Sequence, residues 1–260
     1  MASITPNTGI VIPEEENDLK ELRQNPVFLD HSNTPLAWLE DRIKQANAEC
    51  PEKLKVVLLI TGSMCPVHRM HLNALKTAGD YLEKHYGYHI LGGFISPSSD
   101  SYVNRKLGEK AIPFVDRAKM CHLAVKELQF GYPVEVDGWE GSIPDFMNFD
   151  LVRAHLTIAI QDTFPSEKIL VMYVDGIDHF NKCKLFNWYK IATVLRPPNT
   201  TTAVSDPSRH IYVCTDSAGE DVSSTEVRKR IEAGESIDDL TFPSVAAYIK
   251  EYYATKGKSQ

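Results

Sequence analysis

Residues 55–71 read KVVLLITGSMCPVHRMH, and the change of pattern inside this stretch decides the fold. Val56 through Ile60 are apolar at consecutive positions, a run short enough for a strand buried on both faces. Thr61, Gly62 and Ser63 follow as a turn, and beyond them His71, Ala74, Leu75, Ala78 and Leu82 recur at helical spacing. A strand, a phosphate-sized loop and a helix in that order open a crossover unit of a parallel sheet.

The alternation continues downstream. HILGGFIS (89–96), YPVEV (132–136), ILVMYV (169–174), IATVL (191–195) and IYVCT (211–215) are strand candidates. Between and after them, helix candidates span roughly 114–129, 148–161, 180–188, 224–234 and 243–253. The expected class is therefore α/β, an open parallel sheet with helices on both faces and crossovers of one hand. Such sheets bind ligands beyond the carboxyl ends of their strands, where the strand order switches, so the loop after Ile60 is the first candidate site.

Residues 1–50 are acidic and proline-marked, with IPEEENDLKELRQNP (12–26) ahead of a short helix candidate in PLAWLEDRIKQANAE (35–49). They are expected to form an arm or covering helix, against readings as a partner element, a peripheral membrane element or disorder. The 260 residues carry 28 basic and 35 acidic side chains, a net charge of -7 that gives no global steering toward nucleic acid or an anionic membrane. Cysteines 50, 65, 121, 183 and 214 form no CxxC pair, and their odd number argues for a reducing compartment. The N-terminus lacks a basic segment followed by an apolar run, and no stretch is long enough to span a bilayer. An intracellular protein, cytoplasmic or nuclear, is expected. Subunit number stays open, a homo-oligomer included.

Gly62 permits a close backbone approach and Ser63 adds a hydroxyl. His68 and His71 are three apart and share a face at the start of the following helix, where N–H groups and the helix dipole favour phosphate. A structural or surface pair of histidines is the competing reading. Cys65, His68 and His71 lack an evident fourth ligand for zinc, and the loop is neither GxGxxG nor a P-loop. Near the C-terminus, DVSSTEVRKRI (221–231) sets Ser223 and Glu226 at capping-box spacing and adds Ser224, Thr225 and Arg228. Capping accounts for Ser223 and Glu226. It does not explain three hydroxyls and a guanidinium together.

Through GSMCPVHRMH and VSSTEVRKRI, with SPSSDSY, VDGWE, the GID after VMYV and the closing FPSVAAYIKEYY, the sequence resembles the nicotinamide/nicotinate mononucleotide adenylyltransferase family, in its eukaryotic-type branch. These features cover most of residues 55–253. The resemblance implies a Rossmann-like nucleotidyltransferase domain over 51–260, which binds ATP and nicotinamide or nicotinate mononucleotide together and uses Mg2+ held mainly by ATP phosphates. By the same resemblance Gly62 and Ser63 line the phosphate approach, and His71, with His68, acts in catalysis. Ser224 and Thr225 then contact phosphate, and Arg228 closes around it. Asp100 and Tyr102 match an Asp-x-Tyr pattern, with Tyr102 on the acceptor side; Arg117 resembles an arginine near the nucleotide, and Trp139 an aromatic platform for the pyridine ring, against a plain core role.

Asp178 is the better match for a ribose contact, with Asp175 in the neighbouring register; Arg196 is a weaker match. Arg105 or Lys106 contacts phosphate, or both belong to an exposed basic loop. The competing functions are nucleotidyl transfer to another phosphorylated molecule such as phosphopantetheine, and a nucleotide-binding regulator without turnover.

Overall fold

A computed structural model describes residues 13–183, 190–195, 204–216 and 222–256. The first strand, β1 (Lys55–Gly62), is buried over its first six positions. Consecutive side chains point to opposite faces of a strand, so its apolar run feeds two cores. Val56, Leu58 and Ile60 join one hydrophobic cluster, while Val57 and Leu59 join another.

Five further strands complete the sheet: β2 (His89–Pro97), β3 (Val134–Val136), β4 (Ile169–Gly176), β5 (Ile191–Val194) and β6 (Ile211–Cys214). The order is β3-β2-β1-β4-β5-β6 and all pairings between these strands are parallel. On one face lie α3 (Arg69–Tyr86), α5 (Phe114–Lys126), α9 (Ser224–Ala233) and α10 (Pro243–Lys256). Ala74, Leu75, Ala78 and Leu82 of α3 pack there, as their spacing predicts, joined by Leu72.

The other face carries α2 (Leu39–Glu49) and α7 (Phe149–Thr163). Leu39, Ile43 and Ala46 of α2 bury against β1 and β2, which explains why a helix of such polar composition stays on the sheet. Trp38 just ahead of it packs on Phe94 with ring centroids 5.5 Å apart. It lies over Gly92, where a Cβ would come within 2.5 Å of the indole, so glycine makes room for this lid. Preceding these are α1 (Pro13–Leu22) and a 3-10 turn at Pro26–Leu29.

Three short helices stand at the carboxyl ends of strands: α4 (Asp100–Leu107) after β2, α6 (Trp139–Ser142) after β3 and α8 (Ile177–Cys183) after β4. The sequence pattern did not predict α4, whose polar eight residues bury only Val103. The helix expected at 180–188 begins earlier, at Ile177, and the expected positions 184–188 lie outside the described residues. Among the described residues no helix is long and apolar enough to cross a membrane.

Candidate active site

The strand order reverses between β1 and β4, and a cleft of about 440 Å³ opens there beyond the strand ends. Sheets of this topology leave a crevice at that point because successive crossovers depart to opposite sides. Its floor comes from Ile60, Thr61 and Gly62 of β1 and from Tyr173 to Gly176 of β4. The volume suits a nucleotide-sized ligand.

One wall is the loop from Ser63 to His71. His68 is the N-cap of α3, and its backbone N–H donates to Nδ1 of His71 at 3.2 Å, while the N–H of His71 donates to the carbonyl of His68 at 3.1 Å. The two imidazoles stack with centroids 3.7 Å apart, and both line the cleft. With Nδ1 of His71 accepting, the neutral ring carries its proton on Nε2, which makes it a donor. Cys65 is buried; its thiol accepts from the N–H of Ile112 and donates to the carbonyl of Lys110. Burial pushes that thiol's pKa up.

The start of α9 sits against this loop. Ser223 is its N-cap, accepts from the N–H of Glu226 and lines the cleft. Ser224 Oγ donates to the carbonyl of Pro66 at 2.9 Å, and Arg228 donates to the carbonyl of Cys65 at 2.7 Å and to Oγ1 of Thr225 at 3.1 Å. The two sequence motifs are thus brought together. Ser224, Thr225 and Arg228 nevertheless brace the loop from outside the cleft lining.

Lys106 lines the cleft and donates to Ser63 Oγ at 3.1 Å, with Tyr102 beside it; Arg105 lies instead over the ring of Phe146. Arg117 is fully buried and does not line the cleft. Its guanidinium donates to the carbonyls of Ile112 and Ser63 and to Oδ1 of Asp100, each at 2.8 Å, so it fixes the loop from beneath. Arg196 lies outside the described residues.

Trp139 corrects an expectation. It is 1% exposed and absent from the cleft lining. Its ring stacks on His155 at 3.9 Å with an interplanar angle of 3°, and its Nε1 donates to the carbonyl of Val27. The short α6 turns the indole into the core against His155 of α7, outside the cleft lining.

Aromatic walls of the cleft come from residues not singled out in the sequence. Phe149 and Tyr173 stack at 4.7 Å, and Phe146 and Met147 lie next to them along the lining. Phe149 starts a predicted helix, a position that reads equally as core, so no signal distinguished it. Glu140, by contrast, was findable as a carboxylate just beyond the end of a strand. It is 2% exposed and lines the cleft. Burial, with the nearby Asp137 carboxylate, pushes its pKa up to about 8, against hydrogen bonding from Ser98.

A raised acid binds more protons folded than unfolded, so stability falls as pH rises between the unfolded and folded pKa values. Asp137, raised to about 6 by burial, adds the same sign at lower pH. Between about pH 6 and 8 Glu140 contributes to this decline, with the buried Asp175 acting in the same direction, and E140Q is expected to lessen the slope in thermal melts across that range. An unchanged slope in E140Q would contradict this.

Asp178 and Asp175 both line the cleft. Asp175 is 3% exposed, its pKa raised by burial; it accepts from Thr193 Oγ1 at 2.7 Å and from Nδ1 of His179 at 3.3 Å.

A family model described as cytidylyltransferase-like matches residues 59–230, from β1 into α9 and so across both motifs. The chain belongs to the cytidylyltransferase-like family. Among relatives of this cytidylyltransferase-like chain, the nicotinamide/nicotinic acid mononucleotide adenylyltransferase of Arabidopsis thaliana is 26% identical over 222 residues, covering 77% of this chain and 90% of that protein. Nicotinamide/nicotinic acid mononucleotide adenylyltransferase 1 of Saccharomyces cerevisiae is 27% identical over 229 residues, covering 78% of this chain; the match spans only 56% of the yeast protein's length. The cytidylyltransferase-like fold is shared with the solved structure of Plasmodium falciparum nicotinic acid mononucleotide adenylyltransferase complexed with APC, at TM-score 0.51 and 16% identity over 76% of this chain and 96% of that one.

Proposed function

We propose that this chain transfers the adenylyl group of ATP to nicotinamide or nicotinate mononucleotide, forming NAD or its deamido form and releasing pyrophosphate. The observation that carries this is the meeting of two helix N-termini, those of α3 and α9, at one cleft on the strand-order switch. Two such termini turn their positive dipole ends toward a polyphosphate. The relatives named above supply the identity of donor and acceptor.

In this reaction the mononucleotide 5′-phosphate attacks the α-phosphorus and pyrophosphate departs. The nucleophile is already an anion, so alignment and charge stabilisation are the protein's task. Nε2–H of His71 donates to the transferring phosphate, and His68, Ser63 and Lys106 sit along the same wall. A Cβ at Gly62 would touch only Met64, at 3.5 Å, so the room glycine leaves there serves a ligand rather than the chain's own packing. Asp175 holds Thr193 and His179, and Asp178, which also lines the cleft, takes the ribose role. Phe149, Tyr173 and Phe146 offer apolar faces to the pyridine and adenine rings.

Among the described residues no three His, Cys, Asp or Glu side chains could hold a metal ion together. Mg2+ would be held mainly by the ATP phosphates and would supply charge neutralisation to the leaving pyrophosphate.

Incubating the purified protein with ATP, Mg2+ and each phosphorylated acceptor, with products read by mass spectrometry, tests the proposal. A dinucleotide from either mononucleotide is expected. Product only from phosphopantetheine, or binding without pyrophosphate release, would refute it.

Arg228 supports the loop that meets the triphosphate. R228A is expected to reduce kcat/KM for ATP about tenfold or more, since bonds from a charged group are worth roughly 1.5–3 kcal/mol. R228K should recover part of this, because lysine cannot span both Cys65 and Thr225 with a planar fork. A defect confined to the acceptor titration would reject the assignment.

A further inference from the structure

Of the five cysteines, Cys50, Cys65, Cys121 and Cys214 are buried and Cys183 alone is exposed. It ends α8, one turn beyond His179, and its Sγ lies 3.5 Å from Nε2 of that residue. His179 is in turn oriented by the buried Asp175, whose carboxylate faces Nδ1 at 3.3 Å and is itself held by Thr193 at 2.7 Å. With Nδ1–H directed at the carboxylate, Nε2 presents its lone pair to the thiol. Nucleophile, base and orienting acid thus stand in series, the arrangement that activates a side chain for attack. A metal reading of the same three residues fails, since they lie in line and do not converge.

We propose that Cys183 is a covalent modification site, activated by His179 and Asp175, that takes low-molecular-weight disulfides at the mouth of the cleft. In the step, the Sγ proton passes to Nε2 of His179. The sulfur's electron pair attacks one sulfur of the disulfide, a new S–S bond forms, and the old one breaks. The leaving thiolate then takes the proton back from His179. The products are a mixed disulfide on Cys183 and one free thiol, with no other reactant needed. The adduct stands beside His179, which lines the cleft, so the modified sulfur borders the ligand space. The four buried thiols serve as internal controls, because reaction requires access as well as thiolate character.

The test treats the folded protein with glutathione disulfide and follows adducts on each cysteine by peptide mass spectrometry. Cys183 is expected to react first, C183S to leave no rapid adduct, and H179Q to slow the Cys183 reaction by roughly tenfold or more, the loss of a positioned base. His179 is 40% exposed, so H179Q does not open the core. In denaturant, where the series is undone, the parent and H179Q chains should react at equal rates. Equal rates of the two folded proteins, or faster reaction at a buried cysteine, would overturn the proposal. The readout is the adduct, so its failure leaves the adenylyl-transfer reading untouched.

Discussion

Replacing His71 by alanine is expected to lower adenylyl transfer by about 100- to 1000-fold while the protein stays folded, the scale seen when one preorganised donor is removed from a transition state. The ring lies at the start of α3, held by the His68 N–H on Nδ1, and the residue lines the cleft. Alanine keeps the helix, since its propensity is high and the interactions lost, among them the bond from His68 N–H and the stacking on the His68 ring, lie at the helix N-terminus. The effect should fall on kcat more than on the KM of either nucleotide, because the donor acts on charge that develops during transfer. A folded H71A enzyme with near-parental kcat would remove His71 from the mechanism.

The second large effect is on stability. W139A is expected to cost about 3–5 kcal/mol, the range for truncating a large buried aromatic ring, from a total that for a domain is only about 5–15 kcal/mol. The indole is lost from between Phe28 and His155, and the carbonyl of Val27 loses its donor. Thermal melting should fall sharply, with both substrates affected alike through the amount of folded protein. W139F should recover part of the loss by keeping an aromatic face toward His155. A W139A protein of parental stability, with a raised KM for the mononucleotide alone, would return this residue to the acceptor site.

The contrast between these two residues marks how far sequence reaches. The consecutive apolar run of β1 and the 3.6-residue stripe of α3 are local patterns, and each has one low-energy answer, a doubly buried strand and a one-sided helix. The sheet followed from them. Ser223 and Glu226 were also legible, because an N-cap is a matter of neighbours in the chain. Which way Trp139 faces is not local. It depends on the four-residue α6 and on Phe28 and His155, far away in sequence. Arg117 is a harder case still: a helical arginine reads as solvent-exposed, and only the carbonyls of Ser63 and Ile112 and the Asp100 carboxylate make its burial tolerable. The aromatic pair Phe149 and Tyr173 meets only once α7 is laid against β4, so nothing in the order of residues announced it.

The loop between β1 and α3 is held in shape in part by partners that lie far downstream in the chain. Ser224 bonds to the carbonyl of Pro66, Arg228 to that of Cys65 and Thr241 to that of Val67, and the carbonyl of Leu240 accepts from the N–H of Arg69. Sequence separations there reach 174 residues. A ribosome making this protein at about 5–20 residues per second would release strands and helices able to pair for several seconds before the segment that shapes this loop emerged. A nascent chain stopped ahead of Val222 would therefore carry both histidines on a loop that lacks these bonds, and the downstream segment acts as the latch that sets the earlier one.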